Sequence, residues 1–302
     1  MARAQKGWAV QLFAQQVVSG LATGSIFASM ALALVLIYRS MGVINFAQGE
    51  LAMFSTYIAW QLVQMGVPML GAFFITIVVA FAGGVLLERI VIRPVERAPQ
   101  LTLVIVTLGL FTAINGLAGW IWGYIVKPFP SPFPSTPLQV GGVAFSAQDV
   151  GIIVVSFVTL GLVTLFFQKT KLGLAMRAAA IYPEQSRVLG IRVGWMLALG
   201  WGLASLVGAI SGIMIAPVVF LDPNMMQSII VYAFAAAVLG GVESPIGAVV
   251  GGLTLGVVLN LLGTYVPAIG DELRLAAALA IIVAVLVIKP SGLFGRATVQ
   301  RV

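Results

Sequence analysis

The chain consists largely of long apolar runs that contain no charged residue. A run of about 20 apolar residues is long enough to cross a bilayer as an α-helix. The charge-free windows are residues 7–38, 51–87, 98–126, 150–168, 193–221, 223–242, 244–270 and 275–288. The window 51–87 is too long for one span, and Gly66-Val67-Pro68 predicts a break within it.

This pattern predicts an all-α polytopic membrane protein, a bundle of about 8–9 transmembrane helices with broken or re-entrant helices among them. We expect a single transmembrane domain over residues 1–302. Basic residues orient the bundle, because cytoplasmic loops carry an excess of Lys and Arg. Eleven of the sixteen basic residues fall in three segments: Arg89, Arg93 and Arg97; the loop 169–192; and Lys289, Arg296 and Arg301.

The positive-inside rule places these three segments, and the C terminus with them, in the cytoplasm. Counting spans backwards from there puts the N terminus outside. The alternative keeps the N terminus inside and makes residues 41–65 re-entrant.

Composition supports the membrane assignment and excludes several kinds of chemistry. Hydrophobic residues make up 61% of the chain, charged residues 8%, and the mean hydropathy is +1.11. Without His or Cys, disulfides, thiol nucleophiles and His-based catalysis are excluded. The 16 basic and 9 acidic residues give a net charge of +7. Because this excess follows membrane topology, nucleic acid is not an expected partner.

Two interruptions of the apolar pattern carry the polar residues that suggest a transport pathway. In the first, Asn45 can cap a new helix, with Gln48 completing a capping box and Glu50 in the first turn. Phe46 lies within the same break. In the second, Ser244 as N-cap and Pro245 as first helical residue predict a helix start directly after Glu243.

Helix breaks in corresponding halves are the best sequence indication of a transport site, since exposed helix N-termini attract anionic ligand groups. We therefore take both interruptions as candidate parts of a translocation path. The alternative interpretation is that both are tight cytoplasmic turns between helices.

The longest cytoplasmic loop, residues 169–192, predicts a docking element. Pro183 can begin a short helix with Glu184 in its first turn and Arg187 near its end, and Gly190 can stop it. Leu189 would present an apolar side chain beside these charges, which suits a partner's groove. The alternative is a basic loop on the membrane surface.

Two further patterns concern packing and an external segment. Glycine pairs four residues apart, such as Gly208 and Gly212 or Gly252 and Gly256, predict close helix contacts. Residues 126–137 contain five prolines and should be extended, either as a stiff external connector or as a docking surface.

Taken together, these segments resemble the permeases of branched-chain amino-acid ABC importers, the LivH-like group. The resemblance rests on the segments Gly42–Glu50, Glu88–Pro94, Gly173–Ile191, Ala237–Ala248 and Lys289–Gly295, which follow the family's order. It implies a bacterial inner-membrane subunit that forms the path with a homologous second permease (LivM-like). It further implies two cytoplasmic ATPase subunits and a periplasmic substrate-binding protein.

The resemblance also assigns a role to the loop. The segment around Arg177–Gly190 corresponds to the element that contacts an ATPase. Ile181-Tyr182 replaces a pair that is usually acidic or amide-bearing in the family, so no polar contact is expected from those two positions.

The chain itself should bind no cofactor and catalyse no reaction. It lacks the Gly-x-x-x-x-Gly-Lys-Ser/Thr motif of P-loop ATPases, so ATP and Mg would be used by partner subunits. The rival functions are a passive channel for a small neutral solute and an intramembrane enzyme. Paired acids within a span, which such an enzyme would need, are absent from the sequence.

Overall fold

The computed structural model describes residues 2–96, 98–134, 136–140, 143–267, 270, 273–289 and 291–295. The predicted cytoplasmic residues Arg97, Arg296 and Arg301 lie outside the described residues. The chain folds into two compact units that alternate along the sequence. Unit 1 comprises residues 1–31, 131–157 and 231–302, and unit 2 comprises residues 32–130 and 158–230. The single-domain assignment stays a prediction.

Helices dominate the described chain. They are α1 (Ala2–Met41), α2 (Gln48–Gln64), α3 (Met69–Leu87), α4 (Gln100–Trp122), α5 (Ala147–Lys169), α6 (Lys171–Ile181), α7 (Pro183–Val188), α8 (Val193–Val219), α9 (Gln227–Gly240), α10 (Pro245–Tyr265) and α11 (Arg274–Ile288). A π-helix (Glu88–Ile92) and a 3₁₀ turn (Arg93–Val95) extend α3. Each charge-free window contains a helix, and the window 51–87 contains two.

Six of the described helices are long and apolar enough to cross a membrane. They are Val10–Arg39, Met69–Val95, Gln100–Trp122, Ala147–Lys169, Val193–Val219 and Pro245–Tyr265. Two shorter apolar helices, α9 and α11, accompany them. The predicted polytopic helical membrane fold is therefore confirmed.

The predicted break in the window 51–87 is confirmed. Gly66 has φ +88°, a left-handed conformation that L side chains avoid. Pro68 follows in extended conformation as the N-cap of α3. This pair ends α2 and starts α3 within a few residues, as the sequence predicted.

Unit 2 is held together by close contact of α8 with α2 and α3. A Cβ added at Gly212 would meet the Oγ1 atom of Thr56, and one at Gly208 would lie 2.8 Å from Nε2 of Gln48. A Cβ at Gly84 of α3 would meet the hydroxyl of Ser205. These glycines let the helix backbones approach, which is how helices associate where lipid supplies no hydrophobic drive.

Unit 1 contains a similar contact between α1 and α10. A Cβ at Gly256 would meet the Cα atom of Gly24, and one at Gly252 would meet the Cα atom of Ala28. Asn260 of α10 adds a hydrogen bond from Nδ2 to the Gln16 carbonyl at 2.8 Å. The predicted close helix contacts are thus made within each unit.

The proline-rich segment is non-helical where the structure describes it, as predicted. The sequence did not predict the short antiparallel ladder that follows it. Strand β1 (Leu138–Val140) pairs with β2 (Val143–Phe145), with Leu138 opposite Phe145. Strands this short carry too few residues for an alternating pattern to be recognised.

We expect Gly256→Ala to destabilise the protein by about 1–3 kcal/mol, because the methyl group must displace the α1 backbone. The matched control is Gly161→Ala, since a Cβ there meets nothing within 4 Å. The apparent melting temperature of the purified protein in detergent measures both. Equal melting temperatures for the two variants would contradict the α1–α10 contact.

Candidate functional site

The first break lies in unit 2, between α1 and α2, and its polar side chains are fully buried. Asn45 is 0% exposed, and its Oδ1 accepts a hydrogen bond from the Ala47 backbone N–H at 3.0 Å. The α2 N-cap is Ala47, without a side-chain cap, so the predicted capping box is wrong. Gln48 instead donates from Nε2 to the Ala204 carbonyl of α8 at 2.9 Å.

Gln48 makes this contact in place of a capping box for a physical reason. A capping box is a local arrangement, whereas the partner of Gln48 lies 156 residues away in sequence. A buried amide needs a partner, and the α8 carbonyl supplies one that local spacing does not reveal. Nδ2 of Asn45 remains beside Oε1 of Gln48 at 3.4 Å, so both amides belong to one buried network.

A small, mostly apolar cavity adjoins this network. Its lining includes the buried Asn45 and the hydroxyl-bearing Thr107. The full lining is Ile37, Met41, Val43, Ile44, Asn45, Ile92, Leu103, Thr107 and Trp201. Phe46 does not line it and is 41% exposed.

Glu50 lies in the first turn of α2, as predicted, and is 1% exposed. Nδ2 of Asn115 on α4 contacts its Oε2 at 3.2 Å and the Pro223 carbonyl at 2.8 Å. The same Nδ2 lies 3.3 Å from Oδ1 of Asn224, which also accepts from Gln227 at 2.8 Å. Asn115 thus links the buried Glu50 carboxylate to the segment from which α9 starts.

Asn115, Asn224 and Gln227 were not among the residues that the sequence pattern predicted for the site. Asn115 had a usable signal, because an amide inside an otherwise apolar span is costly unless it faces protein or water. Its partners could not be inferred, since they come from α2 and from the α8–α9 connection.

The second break lies in unit 1, and its predicted helix start is confirmed. Ser244 is the N-cap of α10, its Oγ accepting from the Gly247 N–H at 3.0 Å, and Pro245 is the first residue. Glu243 is exposed. The turn is tight, because Gly241 has φ +104° and its backbone N–H bonds the Ala237 carbonyl at 2.8 Å.

The loop 169–192 folds as two short helices. Thr170 caps α6, accepting from the Gly173 N–H at 2.9 Å. The predicted helix from Pro183 is confirmed as α7, and Gly190, with φ +81°, follows its end. Glu184 and Arg187 form an ion pair at 2.7 Å.

The end of α7 presents apolar side chains outward. Val188 is 88% exposed and Leu189 is 79% exposed. Arg177 of α6 is half-buried, and its Nε has no hydrogen-bond partner among the described residues. An apolar tip between charged side chains has the character of a docking element.

Two arginines attach the extension of α3 to the start of α8, directly after this loop. The Arg89 guanidinium carbon lies 3.3 Å from the centre of the Trp195 ring, a cation–π contact. The Arg93 guanidinium covers Gly194 so closely that a Cβ there would collide with it. The π-helix containing Arg89 is a type of distortion often found at functional sites.

Comparison with known proteins gives matches along nearly the whole chain. Residues 16–288 match the model of a family described as "Branched-chain amino acid transport system / permease component". BraD of Pseudomonas aeruginosa, a high-affinity branched-chain amino acid transport system permease protein, is 32% identical over 96% of this chain and 98% of its own. LivH of Escherichia coli K12, with the same description, is 29% identical over the same shares.

A further relative and a solved structure match somewhat smaller shares of the chain. A probable branched-chain amino acid transport permease, LivH of Methanocaldococcus jannaschii, is 29% identical over 88% of this chain and 87% of its own. The solved structure of PsaBC from Streptococcus pneumoniae in complex with Fab matches 92% of this chain and 91% of that chain. Its TM-score is 0.50 at 14% sequence identity, a likeness of fold alone.

We expect Asn115→Leu to lower the free energy of unfolding by about 1–3 kcal/mol, because the buried Glu50 carboxylate loses its donor. The control is Thr112→Val, which removes an exposed hydroxyl that bonds only its own helix. Thermal unfolding measures the stability of both variants. A double-mutant cycle of Asn115→Leu with Glu50→Gln then measures the coupling energy between Asn115 and Glu50. A cycle in which the two substitutions add without coupling would contradict the contact.

Proposed function

This chain belongs to the family of branched-chain amino acid transport permease components, and we propose that it is the permease subunit of an ATP-driven importer. The proposed cargo is branched-chain or related amino acids. The proposed assembly contains a homologous second permease, two cytoplasmic ATPase subunits and a periplasmic substrate-binding protein. The family match over residues 16–288 and relatives aligned along their whole length support this proposal.

One observation carries the coupling part of the proposal: the exposed tip of α7 leads directly into α8. Three residues, 190–192, separate Leu189 from the first residue of α8. Movement of a docked partner would therefore reach α8 without passing through a flexible linker. Coupling of this kind requires rigid elements with two discrete arrangements.

Further contacts of α8 support a route from the tip to the first break. At its start, Trp195 is held by Arg89 of the α3 extension. Farther along, the Ala204 carbonyl accepts from Gln48, whose side chain contacts Asn45. A shift of α8 would thus act on the buried network around the first break. We propose Asn45, Phe46, Gln48 and Glu50 as residues of the translocation path.

For the second break, which lies in unit 1, we propose a role in translocation. The helix start there is tight and consists of Glu243, Ser244 and Pro245, and the side chain of Glu243 is exposed.

We place the α6–α7 loop and the C terminus in the cytoplasm, since the basic segments mark that side. The N terminus lies outside in one arrangement. In the alternative arrangement it lies in the cytoplasm, and residues 41–65 are re-entrant. The membrane is the bacterial plasma membrane.

Energy for transport would come from the ATPase subunits. The absence of a P-loop motif from this sequence means that ATP and Mg are used elsewhere in the assembly. The contribution of this chain is mechanical, with alternating access driven through α7 and α8.

The experiment that tests the function is reconstitution of the complete importer in liposomes with leucine-loaded binding protein. We expect leucine uptake that requires ATP, because the path opens only when the ATPases cycle. Equal uptake with ATP and with a non-hydrolysable analogue would contradict an active importer and favour a passive channel. Liposomes that lack the ATPase subunits provide the control.

We expect Leu189→Asp to reduce ATPase co-purification and uptake at least tenfold, because a charge replaces the apolar tip of α7. The matched control is Leu273→Asp, which introduces the same charge at a half-exposed leucine preceding α11. A second variant, Pro183→Ala with Glu184→Ala, should leave expression intact and uncouple ATP hydrolysis from uptake. Wild-type uptake in both loop variants would remove α7 from the coupling element.

A further inference from the structure

The chain after α11 folds back onto the end of α9, at the second break. We name this segment the α11 hook and define it as Lys289 with residues 291–295. It leaves α11 without a linker, because the Lys289 N–H still donates to the Val285 carbonyl at 2.7 Å. The Gly292 N–H then donates to the Lys289 carbonyl at 2.8 Å, and Gly292 has φ +75°. The hook and the break both lie in unit 1.

The end of α9 has four backbone carbonyls to satisfy. An α-helix leaves its last four carbonyls without a partner inside the helix, and in α9 they belong to residues 237–240. The Gly241 N–H bonds two of them, Ala237 at 2.8 Å and Val238 at 3.2 Å. The chain then turns into the N-cap of α10, since the Ser244 N–H donates to the Gly241 carbonyl at 2.9 Å. In the described structure this short turn therefore bonds two of the four carbonyls.

The hook supplies the donors for the other two carbonyls. The Leu293 N–H donates to the Leu239 carbonyl at 2.8 Å, and the Phe294 N–H donates to the Gly240 carbonyl at 3.0 Å. Nζ of Lys289 donates to the Leu293 carbonyl at 2.9 Å, which places a cation near the C-terminal end of α9. The cap of α9 thus comes from a segment more than 50 residues farther along the chain.

Glycines bring the hook and the break into direct backbone contact. A Cβ added at Gly292 would lie 2.5 Å from the Gly241 nitrogen and 2.6 Å from the Val238 carbonyl oxygen. A Cβ at Gly241, whose φ is +104°, would lie 2.8 Å from the Gly295 nitrogen. Neither position has room for a side chain, so the two backbones cannot separate slightly without losing their contact.

The two helices that flank the break are packed in the same way. A Cβ at Gly240 would meet the carbonyl oxygen of Gly247, and one at Gly251 would meet the carbonyl oxygen of Ala236. The backbones of α9 and α10 therefore touch on both sides of the turn. The hook closes the end of this helix pair from below the turn.

We propose that the α11 hook is a positioning element for transport, which locks the second break so that α9, the break and α10 move as one body. This proposal rests on the proposed function, which gives Glu243, Ser244 and Pro245 a role in translocation. Capped carbonyls and close backbone contact leave the break no freedom to act as a hinge. The exposed Glu243 is then presented at a fixed position relative to both helices.

Hydrogen–deuterium exchange of the complete importer in nanodiscs, followed by mass spectrometry, tests the lock. We expect the Leu293 and Phe294 amides to exchange at least about a hundredfold more slowly than in an unfolded chain. This protection should persist with ATP and vanadate, which trap the ATPase subunits. Loss of protection in the trapped state would overturn the lock and make the hook a latch that opens. Fast exchange in both states would overturn the contact itself.

A proline at residue 294 isolates the backbone bond. Phe294→Pro removes the N–H that bonds Gly240, and peptides covering residues 236–244 should then exchange about tenfold faster. The matched control Phe294→Ala keeps the N–H and removes the half-exposed ring, so its exchange should equal that of the wild type. Equal exchange in the proline and alanine variants would contradict capping by the hook.

A second variant tests the close contact without removing a donor. In Gly292→Ala the added Cβ must displace Gly241. The control is Gly66→Ala, because Gly66 has a similar left-handed φ of +88° but a Cβ there meets nothing within 4 Å. Strain of the backbone is common to both variants, and displacement of the break is specific to the first. Faster exchange over residues 236–244 in both variants alike would contradict the contact.

Transport in liposomes measures the consequence of the lock. We expect Phe294→Pro and Gly292→Ala to raise the ATP hydrolysed per imported leucine about fivefold, because the ATPases still cycle while the break is no longer held. Phe294→Ala and Gly66→Ala should stay within about twofold of wild type. A structural role alone would lower uptake and ATP hydrolysis together, and an unchanged ratio in the first two variants would overturn the positioning role.

The outcomes separate this proposal from the proposed function. Exchange requires no transport, so the lock is decided even for an assembly that shows no ATP-dependent uptake. Absence of such uptake would contradict the importer, whereas protected hook amides released by Phe294→Pro would still support the lock. ATP-dependent uptake with unprotected hook amides would overturn the lock and leave the importer intact.

Discussion

In a lipid bilayer, each buried polar group must find its partner within the protein, because hydrocarbon offers none. The long helices meet this constraint through their own backbone hydrogen bonds. The break at residues 42–47 meets it with side chains: Asn45 bonds the Ala47 N–H, and Gln48 bonds the Ala204 carbonyl. Asn45 therefore satisfies a backbone group of the break, and α8 supplies the acceptor for the buried Gln48 amide.

Helix α8 connects the features of unit 2. Its glycines allow α2 to pack closely against it. Arg89 of the α3 extension contacts Trp195 near its start, and α7 precedes it directly in the chain. Tight packing transmits displacement instead of absorbing it. This packing is the physical basis for the proposed mechanical coupling. In the proposed route, the apolar tip of α7 and the buried Gln48 amide at the break would then act on one rigid element.

The sequence predicted local features well and long-range ones poorly. Ser244 and Pro245 start α10 as expected, because capping depends on neighbours within one turn. Asn45 and Gln48 have the spacing of a capping box but do not form one. The Gln48 amide donates instead to the Ala204 carbonyl of α8. Asn115 was overlooked because its importance arises only from Glu50 and the α9 start.

The sequence by itself determined the membrane fold, the positions of the helices, the break at Gly66 and the short helix at Pro183, since these follow from hydrophobic runs and local backbone preferences. It also carried the family resemblance that the whole-chain matches confirm. Only the tertiary structure decided which polar groups are satisfied. The contact of Glu50 with Asn115, 65 residues away, and the pairing of Lys127 with Leu221 join segments that are far apart in sequence, which no local pattern encodes.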